Sequence, residues 1–381
     1  MHRIGAQTSW PAVRFGSWRL WDAGVAWPSL EPRRGEWHFE RLDGYVDLAE
    51  QHHVDVLLPL ALTPAWASSD TQQVSSSAST FMPKPPDLGL WRQYVYAVAS
   101  RYRGRIHAYE IWNEPNMDQF YSGSVRQMVG IVREARGALK QVDSTILVVS
   151  PAPVGEGGLR WLQEFFAIGG GSYVDIIGYH FYVINEPPEA LLERIARVRG
   201  IMAAYGLEDR PLWNTEAGWI ITESGRSVDP RSAGFAANTK VLSQTEAAEY
   251  VARALIVGWT AGLGRFYWYA WDNYAMGLVE QDGRTLKPAA DAFGQVETWL
   301  VGAQLTCDHP NDNGTWVCPV TRPHGGPGLV IWNPVRIASF QPPPAWSTVS
   351  VTQVSRSRTR LKRAEIVADA SPRLIEPTGL P

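Results

Sequence analysis

Up to about residue 300 the chain alternates short apolar runs with longer stretches whose apolar residues recur at three- and four-residue spacing. The first pattern predicts buried strands and the second predicts helices with one buried stripe. Apolar runs at 15–21, 54–62, 106–112, 145–150, 174–180, 211–215 and 265–271 predict seven strands. An eighth would have to precede Phe15, where only the stub at 2–4 is available. Residues 88–102 place Trp91, Tyr94, Val95 and Val98 on one helical face, and 188–205 do the same with Leu191, Leu192, Ile195, Val198 and Met202. Ser124-x-x-Gln127 and Ser243-x-x-Glu246 have the spacing of capping boxes, which predicts helices opening at 125 and 244.

Strands alternating with helices predict a parallel sheet, and a unit of about 300 residues suits an α/β chain closed as a (β/α)8 TIM barrel. Beyond that point the period shortens. Runs at 303–308, 314–321, 328–332, 347–354 and 364–368 are separated by Gly- and Pro-rich turns, which predicts a small all-β, sandwich-like unit. The expected division is therefore a barrel at 1–300 and an appendage at 301–381. Within the appendage Arg356, Arg358, Arg360 and Lys362 fall on alternate positions, as one strand face or an extended turn would place them. A solvated edge that resists aggregation is the better reading of that run than a nucleic-acid patch. The Ser-rich stretch 67–79 is either a cover over a site or an exposed loop.

The 381 residues are 45% hydrophobic and 19% charged, a globular composition with ample core. A net charge of −3 gives no reason to expect nucleic acid or an anionic membrane as partner. The 18 tryptophans stand out, because broad aromatic faces stack on sugar rings, although most such rings pack in cores. The two cysteines, Cys307 and Cys318, flank the turn signal at 311–314. They are either a cross-strand disulfide, which implies an oxidising compartment, or two buried thiols. No Cys or His pair shows metal-ligand spacing. No apolar stretch approaches the ~20 residues needed to span a bilayer. The first residues do not read as a signal peptide. Secretion or a periplasmic location is nonetheless the expectation, with a cytoplasmic one left open.

Two glutamates carry the chemistry. Ile111-Trp112-Asn113-Glu114-Pro115-Asn116 and Leu212-Trp213-Asn214-Thr215-Glu216 each end an apolar aromatic run. In a β/α barrel, functional side chains project from the C-terminal ends of strands, and both acids fall there. Two carboxyl groups across a sugar are the minimum for glycoside hydrolysis, one protonated and one ionised. Asn113 is placed to hydrogen-bond a hydroxyl beside the reacting carbon. Glu110, Asp22 and Asp272 are rival carboxylates in weaker contexts.

The two motifs resemble the clan A glycoside hydrolases, which are retaining β/α barrels, and within them glycoside hydrolase family 39. The stretch 109–116 and Trp213-Asn214-Thr215-Glu216 carry the likeness. Segments 19–22, 31–35, 63–66 and 178–182 support it. Known members include β-xylosidases, α-L-iduronidases and bacterial exopolysaccharide hydrolases. The resemblance implies Glu114 as acid/base, Glu216 as nucleophile, and a xyloside, other glycoside or exopolysaccharide as substrate. It calls for no metal or organic cofactor. A non-catalytic carbohydrate-binding protein and a transglycosidase are the alternatives.

Around the pair, Arg19 is the candidate cation for the ionised acid, unless it serves as a structural partner of Glu110 inside the barrel. His180 and Tyr182 are candidate donors to Glu216 or substrate, with an ordinary core role open for His180. Trp66, Trp268 and Trp271 are candidates for a sugar platform. The chain departs from the pattern at its start. The first strand is expected to be truncated, with His2 as its last residue lining the sugar site.

Overall fold

The computed structural model describes residues 10–69, 81–307, 310–322, 326–362 and 364–378. Among them, seven parallel strands line the barrel. They are β1 (Ser17–Arg19), β2 (Asp55–Leu60), β3 (Ala108–Ile111), β4 (Leu147–Val149), β5 (Ile177–His180), β6 (Leu212–Ala217) and β7 (Arg265–Trp268). A helix follows each strand in turn: α1 (Glu40–Gln51), α2 (Leu88–Arg101), α3 (Val125–Val142), α4 (Gly155–Ala167), α5 (Ala190–Ala204), α6 (Gln244–Thr260) and α7 (Pro288–Leu300).

Local chemistry accounts for the helix starts. Ser124 with Gln127, and Ser243 with Glu246, form reciprocal capping boxes at α3 and α6, satisfying orphan N–H groups. Asp87 caps α2 by accepting from Leu90. The inner face of α3, from Met128 through Ile131, Val132, Ala135 and Leu139, is wholly buried. That stripe holds the helix on the sheet.

Strands β1 to β4 pair neighbour to neighbour, and so do β5 to β7; the bridges Val149 to Ile176 and Val154 to His180 join the two sets. Among the described residues no backbone ladder joins β7 to β1, and side chains bridge the seam. Arg265 donates to Ser17 Oγ at 2.7 Å and to Asp55 Oδ2 at 2.7 Å, and the Tyr267 hydroxyl meets Ser17 Oγ at 2.6 Å. The expected first strand, with His2, lies outside the described residues, as does most of the Ser-rich stretch.

Beyond α7 an antiparallel sheet takes over. Its strands are β8 (Gln304–Leu305), β9 (Trp316–Thr321), β10 (Pro327–Trp332), β12 (Thr348–Gln353), β13 (Arg358–Lys362) and β15 (Arg373–Pro377). A separate pair, β11 (Ala338–Phe340) with β14 (Ile366–Ala368), packs against its outer face over Val349, Val351 and Ile375. The order β8-β9-β10-β15-β12-β13 puts β15 in the middle. Sequence reading placed no strand there, because Pro372 and Pro377 frame so short a run. Burial of Leu374 and Ile375 decides it. The basic run forms the exposed edge strand β13, with Arg356 in the preceding turn and paired to Asp291 at 3.1 Å. Cys307 and Cys318 are disulfide-bonded, their Cα atoms 4.8 Å apart.

Candidate active site

Both glutamates stand at the barrel mouth because the backbone is forced to deviate there. On β6, Asn214 faces Tyr179 of β5 and Phe266 of β7, but the next partners are His180 to Glu216 and Trp268 to Ala217. β6 thus carries one extra residue against both neighbours, a bulge that re-aims Glu216. After β3, Trp112 (φ 75°) and Glu114 (φ 43°) occupy the left-handed region. For a bulky residue this costs about 1–3 kcal/mol and persists only where packing over-determines it. The Trp112 ring is buried against Trp91 and Tyr121, and its indole N–H donates to the Phe120 carbonyl at 3.1 Å.

Arg19, fully buried on β1, is the hub. Its Nε donates to Glu110 Oε2 at 2.5 Å, Nη1 to Glu216 Oε2 at 2.8 Å and Nη2 to Asn113 Oδ1 at 2.8 Å. The structural pairing with Glu110 and the contact with Glu216 therefore coexist on one guanidinium. Since arginine only donates, it also sets the amide of Asn113, whose Nδ2 points the other way. Burial works against the charge of Arg19, and Glu110 and Glu216 outweigh it. Glu110 Oε1 has no hydrogen-bond partner among the described residues.

His180 Nε2 lies 3.4 Å from Arg19 Nη2, so that nitrogen accepts and Nδ1 carries the proton. Nδ1 then donates to Glu114 Oε1 at 2.8 Å. Burial pushes His180 down to about 4, which keeps the ring neutral at pH 7. The Tyr182 hydroxyl donates to Glu216 Oε1 at 2.9 Å.

These contacts treat the two acids differently. Burial pushes the Glu114 carboxyl up to about 7, with Arg19 opposing and Asp22 adding. Burial also pushes Glu216 up, and the charge of Arg19 opposes the rise without reversing it. Only Glu216 accepts a direct bond from the guanidinium, and Tyr182 adds a second donor. Charge-assisted bonds of this kind favour the ionised form, so when one of the pair is protonated it is Glu114.

Glu114, His180 and Glu216 each offer an atom within 4.8 Å of the others, a set that could in type hold a metal ion. Arg19 already supplies the fixed positive charge beside them, and the His180 proton is committed to Glu114. The set suits proton transfer better than coordination.

The aromatic candidates divide. Trp268 and Trp271 are buried, at 0% and 2% exposure, with Trp268 stacked on Trp219 at 5.7 Å. They stand in the core instead of as open faces, and neither indole N–H has a partner among the described residues. Trp66 is partly exposed and tied through its N–H to the Glu31 carbonyl at 3.1 Å. Sequence reading missed Trp21, whose ring lies 5.8 Å from the Arg19 guanidinium, and Tyr269, which bonds Asp22. Their positions just past β1 and β7 were the available signal. A cavity of about 450 Å³ lined by Ser17, Asp55, Arg265 and Tyr267 lies at the opposite, strand-start end and holds none of this chemistry.

Residues 8–248 match the pattern of Glycosyl hydrolases family 39. The chain belongs to this family. A beta-xylosidase of Geobacillus stearothermophilus is 26% identical over 206 residues, covering 47% of this chain and 40% of that protein. A beta-xylosidase of Caldicellulosiruptor saccharolyticus is 26% identical over 178 residues, covering 45% and 36%. This family 39 chain therefore matches less than half the length of either curated relative. A family 39 glycoside hydrolase from Bacteroides cellulosilyticus superposes with a TM-score of 0.72 at 15% identity, covering 96% of this chain and 76% of that one. A beta-xylosidase from Caulobacter crescentus gives 0.68 at 17% identity, covering 96% and 89%. At such identities the likeness concerns the fold: a TIM barrel followed by a β unit. Among the described residues no helix is long and apolar enough to cross a membrane.

Proposed function

We propose that this family 39 chain hydrolyses O-glycosidic bonds with retention of configuration, Glu216 acting as nucleophile and Glu114 as acid/base. One observation carries the reading: a carboxyl oxygen of Glu114 and one of Glu216 lie within 4.8 Å of each other. Retention needs carboxyls roughly 5–5.5 Å apart, whereas inversion needs about 6.5–9.5 Å to admit a water. Glu216 attacks the anomeric carbon as its bond to the leaving oxygen breaks, and Glu114 gives that oxygen its proton. A covalent glycosyl-enzyme results. Glu114, now ionised, takes a proton from water, whose oxygen attacks the anomeric carbon and releases Glu216. Arg19 and Tyr182 hold Glu216 ionised and aimed, while neutral His180 keeps Glu114 oriented through both steps. Asn113 Nδ2 is the donor for a hydroxyl beside the reacting carbon.

A β-xyloside is the first substrate to try, since the curated relatives that match part of this chain are beta-xylosidases. The barrel at 1–300 would carry the reaction and 301–381 would brace it. Trp332 donates to Glu189 at 2.7 Å and Arg356 pairs with Asp291, both across that division. The Cys307–Cys318 bond favours an oxidising compartment. Proton NMR of p-nitrophenyl β-D-xyloside hydrolysis tests the mechanism. The first-formed sugar should be the β anomer, and Glu216→Ala should lose turnover. An α anomer first, or undiminished turnover by Glu216→Ala, would refute it.

A further inference from the structure

Asp22 lies past the end of β1 in the left-handed backbone region, at φ 56°. Aspartate tolerates that region better than most residues. The Tyr269 hydroxyl donates to its Oδ2 at 2.5 Å, and Asn273 Nδ2 donates to the same hydroxyl at 3.3 Å. Tyr269 directly follows β7, so the contact ties together the mouth-side ends of the two strands at the seam. The carboxylate is exposed, and Oδ1 has no hydrogen bond among the described residues. It nevertheless acts on the reaction centre, adding to the burial that pushes Glu114 and Glu216 up. Neither displacement step uses it.

Among the described residues the site's carboxylates outnumber the one cation bonded to them. Arg19 is that cation. A sugar carboxylate placed between the glutamates would meet Asp22 and Glu216, and the one guanidinium bonded into the site among the described residues is already shared by Glu110 and Glu216. A sugar hydroxyl would instead find in Asp22 an acceptor whose direction Tyr269 has set.

Resting on the glycosidase reading above, we propose that Asp22, held by Tyr269, is a specificity-determining residue. Its free oxygen accepts a hydroxyl of the sugar between the two glutamates, and its charge rejects uronic acid glycosides. The substrate class is thus the neutral pyranosides. Losing a hydrogen bond to a charged group costs about ten- to a hundredfold in kcat/KM. Repulsion between two like charges accounts for a further discrimination in the same direction.

The test compares p-nitrophenyl β-D-xyloside, β-D-glucoside and β-D-glucuronide on wild type, Asp22→Asn and Tyr269→Phe. Asp22→Asn should lose at least tenfold in kcat/KM on the neutral substrates, while the glucuronide-to-xyloside ratio rises at least tenfold. Tyr269→Phe should shift both in the same sense by less. Equal loss on all three substrates, or no change, overturns the proposal. Calorimetric binding of methyl β-D-xyloside and methyl β-D-glucuronide to Glu114→Gln, with and without Asp22→Asn, is independent of turnover. If wild type cleaves nothing, the glycosidase reading fails. Binding then decides this one: weaker xyloside and tighter glucuronide binding on adding Asp22→Asn supports it, and unchanged preference sinks it.

Discussion

Replacing Glu114 by glutamine should cost activity and add stability, with the added stability growing as pH rises. Burial pushes this carboxyl from 4.5 up to about 7, against Arg19 and with Asp22. In the unfolded chain it titrates near its ordinary value. Between 4.5 and about 7, then, the folded protein holds a proton that the unfolded one has released, and stability falls as pH rises. At ~1.36 kcal/mol per pH unit that interval comes to about 3 kcal/mol. The penalty is absent below pH 4.5 and complete above about pH 7. The side chain is only 13% exposed, so solvent screens little of it. Glutamine keeps the shape and still accepts from His180 Nδ1, but never charges. Urea unfolding of wild type and Glu114→Gln at pH 5 and pH 8 measures the effect. At pH 5 the two should agree within about 1 kcal/mol, and at pH 8 the variant should lead by about 3 kcal/mol. A gap of equal size at both pH values, or a more stable wild type at pH 8, refutes the reasoning. The same group should make wild-type kcat/KM fall about tenfold per pH unit above pH 7, read with an aryl glycoside.

Three further outcomes follow from other contacts. His180→Ala should lower kcat/KM about ten- to hundredfold, and it should move the alkaline fall to higher pH, because the lost N–H favoured ionised Glu114; a pH–rate profile reads both. Glu110→Ala leaves Arg19 short of a buried partner and should destabilise by about 3–5 kcal/mol in chemical unfolding, with Glu110→Gln milder. Replacing both Cys307 and Cys318 by serine opens a loop with a sequence separation of 11. Loop entropy puts the cost at about 3 kcal/mol, with kcat/KM on an aryl glycoside unchanged, since the bond lies in the β unit.

Most of the barrel was legible because its signals are local. Apolar runs marked the seven strands, and the Ser124 and Ser243 caps marked two helix starts to the residue. The strand at Arg373–Pro377 was not legible, since what makes it a strand is its place between β10 and β12. Trp268 at the end of the last barrel strand and Trp271 just past it show the same limit. Their type suits a sugar platform, but Trp219, distant in sequence, stacks on Trp268 and helps hold it in the core.

By itself the sequence determined the seven barrel strands and four of the helices between them, and that Glu114 and Glu216 end strands, because periodicity and flanking residues are properties of neighbours along the chain. It also supplied every member of the central cluster by type. The roles proposed for them rest on the tertiary structure. Arg19, Glu110, Asn113, His180, Tyr182 and Glu216 come from four strands and their ends, and one buried guanidinium must divide its donors among them. That division, with the burial of Glu114, favours the proton on Glu114 over Glu216, which alone of the two accepts from the guanidinium. Burial and distance between remote residues set it, and no local pattern encodes either.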